Sequence, residues 1–342
     1  MNPKDRFRRL IAQSGPIPVA QFMAESNALY YASRDPLGQA GDFVTAPEVH
    51  QVFGEMVGAW LADLWDRAGR PQAALVELGP GRGTLAADML RVMRRAGWDG
   101  DVHLVEASPV LREVQAAKVE GAQFHGDPST LPDDAPLMVV GNEFLDALAV
   151  RQLVKTPHGW RERMVGLNGE GGLAFVVGTK PMDAAVPAER ANAPLDTILE
   201  TSPACAALVE DMTRRLVEQG GAALFIDYGH LAPRMGSTLQ AVRAHERVDP
   251  LAHPGEADLT AHVEFSALAK VAQRGGAGWL SATTQGHWLK ALGIEHRAAA
   301  LAQSGDDIDA ACHRLVHADE MGSLFKVMAF GSSDWPPGAG FA

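Results

Sequence analysis

Apolar positions recur at a helical spacing early in the chain and in short strand-like runs after it. Val52, Met56, Ala59, Trp60 and Leu64 mark one face of a helix expected from about residue 50 to 68. The Gly- and Pro-containing stretch 38–47 ahead of it reads as a loop. Thr45 is placed to cap the helix, with Glu48 as its capping-box partner. From residue 73 the pattern alternates. Strands are expected over 73–78, 102–106, 122–124, 137–141 and 222–227. Helices are expected over 84–96, 109–118, 208–219 and 260–273. Ser108-Pro109 has the form of a cap followed by proline at the first helical position. Residues 152–156, 160–166 and 173–177 alternate between turns and read as an antiparallel hairpin or small sheet. The proline-punctuated stretch 181–203 reads as a surface excursion. Late strands over 278–282 and 324–330 suit a terminal antiparallel pair.

Repeated strand–helix units predict an α/β fold with a mostly parallel sheet and helices on both faces. Ligands of such sheets sit at the carboxyl ends of the strands, where the strand order reverses. The expected organisation is a helical region with a lid over 1–70 and a nucleotide-binding half over 71–155. An inserted β/loop excursion over 156–204 and a second half of the core over 205–335 complete it.

Composition narrows the classes. The chain has 342 residues, 46% of them hydrophobic and 21% charged, enough to bury a core without staples. Its longest apolar runs fall far short of a membrane span. Two cysteines, Cys205 and Cys312, exclude a disulfide scaffold or a Cys-rich zinc site. Lys4, Arg6, Arg8 and Arg9 near the start precede no apolar segment, so no signal peptide is expected. The expected location is cytoplasmic, or the mitochondrial matrix in a eukaryote. A formal net charge of −12 disfavours nucleic acid as a partner.

The densest chemistry follows the first strand, in Glu77-Leu-Gly79-Pro-Gly81-Arg-Gly83. Glycines there permit positive φ and let a ligand approach the backbone. Glu106 ends the next strand, where a carboxylate can accept both ribose hydroxyl hydrogens. Asp127, after the third strand, is placed to accept from an adenine amino group, and as a lone residue it suits a helix cap before Pro128 as well. Dinucleotides and S-adenosylmethionine (SAM) both use this layout. Counting from Gly81, Ala86 keeps the dinucleotide fingerprint possible. A carboxylate at Glu77 would repel a pyrophosphate, yet it suits a ligand with an ammonium group and no phosphate. SAM is therefore the expected cofactor, bound by Glu77, Gly79, Gly81, Gly83, Glu106, Asp127 and Asn142, with Thr45 in the lid.

Five stretches together resemble one family: 41–55 (Gly-Asp-Phe-Val-Thr-Ala-Pro-Glu through Glu55), 76–84, 141–147 (Gly-Asn-Glu-Phe-Leu-Asp-Ala), 225–230 (Phe-Ile-Asp-Tyr-Gly-His) and 254–262. The chain resembles the MidA-type SAM-dependent methyltransferases from about residue 34 to 330. It departs mildly at Gly141 and Leu145, where Ala and Phe are expected. The resemblance implies a class I SAM-methyltransferase fold, Rossmann-like, with a seven-stranded mostly parallel sheet, a helical extension and an inserted β-hairpin subdomain. It also implies protein arginine N-methylation of a respiratory complex I subunit, the role of the mitochondrial members.

Guanidinium is a poor nucleophile because its lone pairs are delocalised and it stays protonated. Carboxylates must hold it and localise its charge away from the attacking nitrogen. Glu143 is the expected grip, with Asp146 second, on one face if a helical turn starts there. Asp227, ending the fifth strand, reads equally as a second carboxylate or as a turn cap. His262 is a candidate proton acceptor, and Asp258 a cap for the helix behind it. No metal is expected at His50, His230 or His262, whose spacing suits none. The alternatives are a small-molecule or non-arginine methyltransferase, a SAM-binding assembly chaperone without catalysis, and an NAD oxidoreductase. A homodimer is also compatible with the sequence.

Overall fold

The computed structural model describes residues 2–33, 45–303 and 308–341. The chain forms two compact units. The larger is drawn from Asp35–Leu145, Ala206–Ala232 and Phe265–Ala342; the smaller from Met1–Arg34, Asp146–Cys205 and Pro233–Glu264. Residues 1–70 thus contribute to both units.

The larger unit is built on seven strands: β1 Ala74–Leu78, β2 Val102–Val105, β3 Gln123–His125, β4 Leu137–Asn142, β5 Gly221–His230, β6 Trp279–Thr284 and β7 Phe325–Gly331. Their order is β3-β2-β1-β4-β5-β7-β6. The first five are parallel, and β7 runs antiparallel between β5 and β6. These seven strands are mostly parallel and end in an antiparallel pair, as the sequence predicts. Every residue of β1 and β4 is buried, as expected for central strands covered on both faces.

Leu75, Leu104, Met138, Val140, Leu224, Ile226 and Val327 face one apolar core. The helices Gln51–Arg67, Thr84–Arg95, Gln285–Ala291 and Ile294–Ala302 close that core. Helix Phe265–Arg274 packs on β5 and β7. The strand order reverses at β1 and β4, so a ligand crevice belongs at Leu78–Gly79 and Asn142–Glu143.

The smaller unit is antiparallel. Arg151–Thr156 and Gly159–Leu167 form a hairpin, extended by Ile198–Thr201, Leu173–Pro181 and the short Ile17–Pro18. A second sheet joins Glu246–Val248, Gln240–Arg243 and Asp258–Thr260. Phe7, Ile11, Phe22 and Met23, from helices Pro3–Ser14 and Val19–Ser33, pack with Val150, Val165 and Leu259.

Three helix starts differ from expectation. The helix expected from 208 starts at Pro203. Thr45 precedes a separate single turn, Ala46–Val49, and its side chain makes no capping bond. His50 is extended and caps the long helix instead, its Nδ1 accepting from the Val52 N–H at 3.1 Å. The helix expected from 260 starts at Phe265, because Asp258–Thr260 pairs into the small sheet. Asp258 is therefore a strand residue and not a helix cap.

Candidate active site

The glycine turn leaves β1 with Gly79, Gly81 and Gly83 all at positive φ, +64°, +54° and +73°. At Gly79 a Cβ would also lie 2.6 Å from Cδ2 of Phe144, so both conformation and space require glycine. Gly83 opens helix Thr84–Arg95, whose first N–H groups have no intrahelical partner. The Ala86 N–H donates to the buried carboxyl of Glu77, which is 3% exposed. Burial pushes this carboxyl up to about 8 despite that bond. Its Oε2 has no hydrogen-bond partner. A buried orphaned carboxyl oxygen is costly unless a ligand supplies the missing group.

Glu106 follows β2. Its Oε1 accepts from the Ser108 N–H at 2.8 Å, and its Oε2 from Nε2 of Gln115 at 3.2 Å. Burial raises this carboxyl above its ordinary range, against the pull of those donors and of Arg112. Ser108 caps helix Pro109–Lys118 as expected. Asp127 is exposed and caps the turn Pro128–Thr130, its Oδ1 accepting from the Ser129 N–H at 2.8 Å. Hydrogen bonds from Ser129 hold its carboxyl below the usual range.

At the end of β4, Asn142 is buried, with Oδ1 unpartnered. Glu143 is a non-glycine residue at φ +50°. Its N–H donates to the Ile226 carbonyl, and its Oε1 accepts from the Ala46 N–H at 3.0 Å. The left-handed backbone here excludes the helical turn on which Glu143 and Asp146 would share a face. Glu143 stands in the larger unit and Asp146 in the smaller. Asp227 is fully buried. Its Oδ2 accepts from the Phe144 and Leu145 N–H groups at 3.1 and 2.8 Å, and its Oδ1 from the Tyr228 N–H. It acts as the anchor of the 143–145 turn. Glu48 accepts from the Thr84 hydroxyl at 2.6 Å. Residues 38–44 of the expected lid lie outside the described residues.

In the smaller unit, Asp258 accepts from the Tyr31 hydroxyl at 2.8 Å. Burial, then Asp258 and Asp146, push the Tyr31 phenol well up. The Asp146 carbonyl accepts from the Ala261 N–H, and the His262 N–H donates to the Thr238 hydroxyl.

The residues of the larger unit fit SAM. Orphaned Glu77 Oε2 and Asn142 Oδ1 suit its amino-acid end, the glycine turn makes a cradle without Cβ atoms, and Glu106 suits its ribose. A carboxyl buried inside β1 is a poor neighbour for pyrophosphate. Sequence reasoning missed Gln115, which is 0% exposed and spans the glycine turn and Glu106. The signal was there: Leu111, Gln115 and Val119 follow one another at a spacing of four, so a polar residue occupies an apolar face.

Comparison with known proteins agrees with SAM as the cofactor. The family described as "Putative S-adenosyl-L-methionine-dependent methyltransferase" matches residues 56–283. The chain is 35% identical to the mitochondrial protein arginine methyltransferase NDUFAF7 of Xenopus tropicalis, over 97% of this chain and 87% of that one. The human NDUFAF7 is 37% identical over 87% of this chain and 74% of its own length. A Burkholderia thailandensis COG1565 superfamily member and likely methyl transferase, solved bound to S-adenosyl-homocysteine, superposes with a TM-score of 0.83. It is 31% identical, over 96% of this chain and 91% of that one. With the family match and these relatives together, the chain belongs to this family of SAM-dependent methyltransferases.

Proposed function

We propose that the chain methylates an arginine guanidinium of a protein, and that the protein is a subunit of respiratory NADH:quinone oxidoreductase. The substrate class follows its relatives, which are protein arginine methyltransferases. The respiratory subunit is what the family resemblance implies. The observation that carries the chemistry is Glu143. It is held in a left-handed conformation at the reversal of strand order, a cost of roughly 1–3 kcal/mol that persists where the surroundings impose it.

SAM supplies an electrophilic methyl group on a sulfonium. Glu77 and Asn142 would hold its amino-acid end and Glu106 its ribose, with Asp127 as the candidate for the adenine amino group. Asp227 fixes the turn that aims Glu143. Glu143 then takes the substrate guanidinium by charge-assisted hydrogen bonds and localises its positive charge away from the attacking nitrogen.

The test is mass spectrometry of arginine- and lysine-containing peptides of the oxidoreductase subunits after incubation with SAM. Methylation at arginine is expected, lost by at least about 100-fold in Glu143→Gln while SAM binding persists. Transfer only to lysine or to small molecules, or full activity in Glu143→Gln, refutes the proposal.

A further inference from the structure

Gln115 makes two hydrogen bonds that no other side chain on its helix makes. Its Nε2 donates to the Gly81 carbonyl at 2.6 Å and to Glu106 Oε2 at 3.2 Å. Both partners are acceptors, which fixes the amide orientation: the nitrogen must face them. The side chain is 0% exposed, and its Oε1 has no partner. Helix Pro109–Lys118 thus reaches both halves of the nucleotide site through one amide. One bond sets the middle of the glycine turn, and the other sets the carboxylate after β2.

We propose that Gln115 is the positioning residue of the SAM site, locking the glycine turn to the Glu106 carboxylate and keeping that carboxylate set to accept the ribose hydroxyls. The inference rests on the reading of Glu106 as the ribose acceptor. Its physical basis is that a hydrogen bond donated to a carboxylate favours the ionised form. Glu106 is already raised by burial, and Gln115 is one of the few groups opposing that rise. The other groups around it are the Ser108 and Ala107 N–H groups and the Arg112 guanidinium. Across on β3 stands His125, whose carbonyl accepts from the Glu106 N–H and whose ring is held below its ordinary range by burial. Without the amide, Glu106 protonates more readily, and a protonated carboxyl accepts one hydroxyl less well.

The experiment is calorimetric SAM binding to the full chain from pH 5.5 to 8.5, for wild type, Gln115→Leu, Glu106→Gln and the double variant. Gln115→Leu is expected to weaken SAM binding about tenfold at pH 7. The loss should grow as pH falls and shrink as it rises. In the Glu106→Gln background the same substitution should cost much less, and any pH dependence left there belongs to Glu77 or His125 and not to Glu106. Gln115→Glu keeps the shape and sets a carboxyl against Glu106. It is expected to lose more affinity than Gln115→Leu, and it serves where the leucine variant does not fold. Wild-type affinity in a folded Gln115 variant overturns the proposal, as does a loss that is independent of pH and fully additive with Glu106→Gln. Wild-type SAM affinity in Glu106→Gln is a different failure, that of the ribose reading itself.

Discussion

At the scale of single residues, Glu77 sets fold against ligand. Its carboxyl titrates near 8 in the folded chain, against an ordinary 4.5. Between those values the folded state holds more protons than the unfolded one, so stability falls as pH rises through the window. The contribution is complete below about pH 4.5 and lost above about pH 8. Glu77→Gln stays neutral, so its stability relative to wild type should improve from pH 5 to about pH 8 and level off above it in urea unfolding. The same variant should bind SAM more weakly, because it cannot ionise beside the ligand's ammonium group. Equal pH slopes for the two proteins would show that Glu77 is not the titrating group. The sequence made this residue legible as a ligand carboxylate, since it stands two positions before the first glycine. It could not show the Ala86 N–H, because that bond depends on how the helix returns over β1. Asp227 was legible only in part. It reads as a rim carboxylate or a turn cap, yet nothing local shows that its Oδ2 accepts from the Phe144 and Leu145 N–H groups, far away in sequence.

At the scale of elements, strands of the parallel sheet were the most legible, because uninterrupted apolar runs bounded by glycine have few other readings. Helix starts were less so. His50 is not among the preferred caps, so nothing in its residue type announced the start at Gln51. Gln285–Ala291, Ile294–Ala302 and Asp309–Val316 had no counterpart in the sequence reading. They are 7, 9 and 8 residues long, too short for periodicity to stand out. Helix Gln51–Arg67 also carries Gly54 and Gly58, one turn apart, which the sequence reading passed over. A Cβ on Gly58 would lie 2.9 Å from Cα of Met89, and one on Gly54 2.5 Å from Cβ of Asp88. The two helices therefore approach at backbone distance. Beside them, buried Glu55 is paired with Arg91 at 3.1 Å and Arg297 at 2.7 Å. Gly58→Val must push backbone against backbone and should cost about 2–3 kcal/mol, read as a lower urea midpoint at unchanged slope. An unchanged midpoint would mean that the helices separate without penalty.

At the scale of the whole molecule, the smaller unit was the least legible part. Its pieces come from three separated stretches, and Ile17–Pro18 pairs with Val165 and Met164 across much of the chain. No local period encodes such a pairing; only the middle stretch, with its turns and alternation, announced itself as antiparallel sheet. The sequence reading nonetheless put Thr45, Glu77, Gly79, Gly81, Gly83, Glu106, Asp127 and Asn142 in one site, and all eight lie in the larger unit. Binding should then leave a local mark on that unit. Adding S-adenosylhomocysteine at 100 times its Kd should stabilise the chain by about 2.7 kcal/mol, since it binds the folded state. In hydrogen exchange, the slowed amides should cluster at 79–86 and 105–115, where the glycine turn, the cap of helix Thr84–Arg95 and the Glu106 loop meet. Slowing confined to 240–262 would move the cofactor site to the smaller unit and overturn the assignment made from the glycine turn.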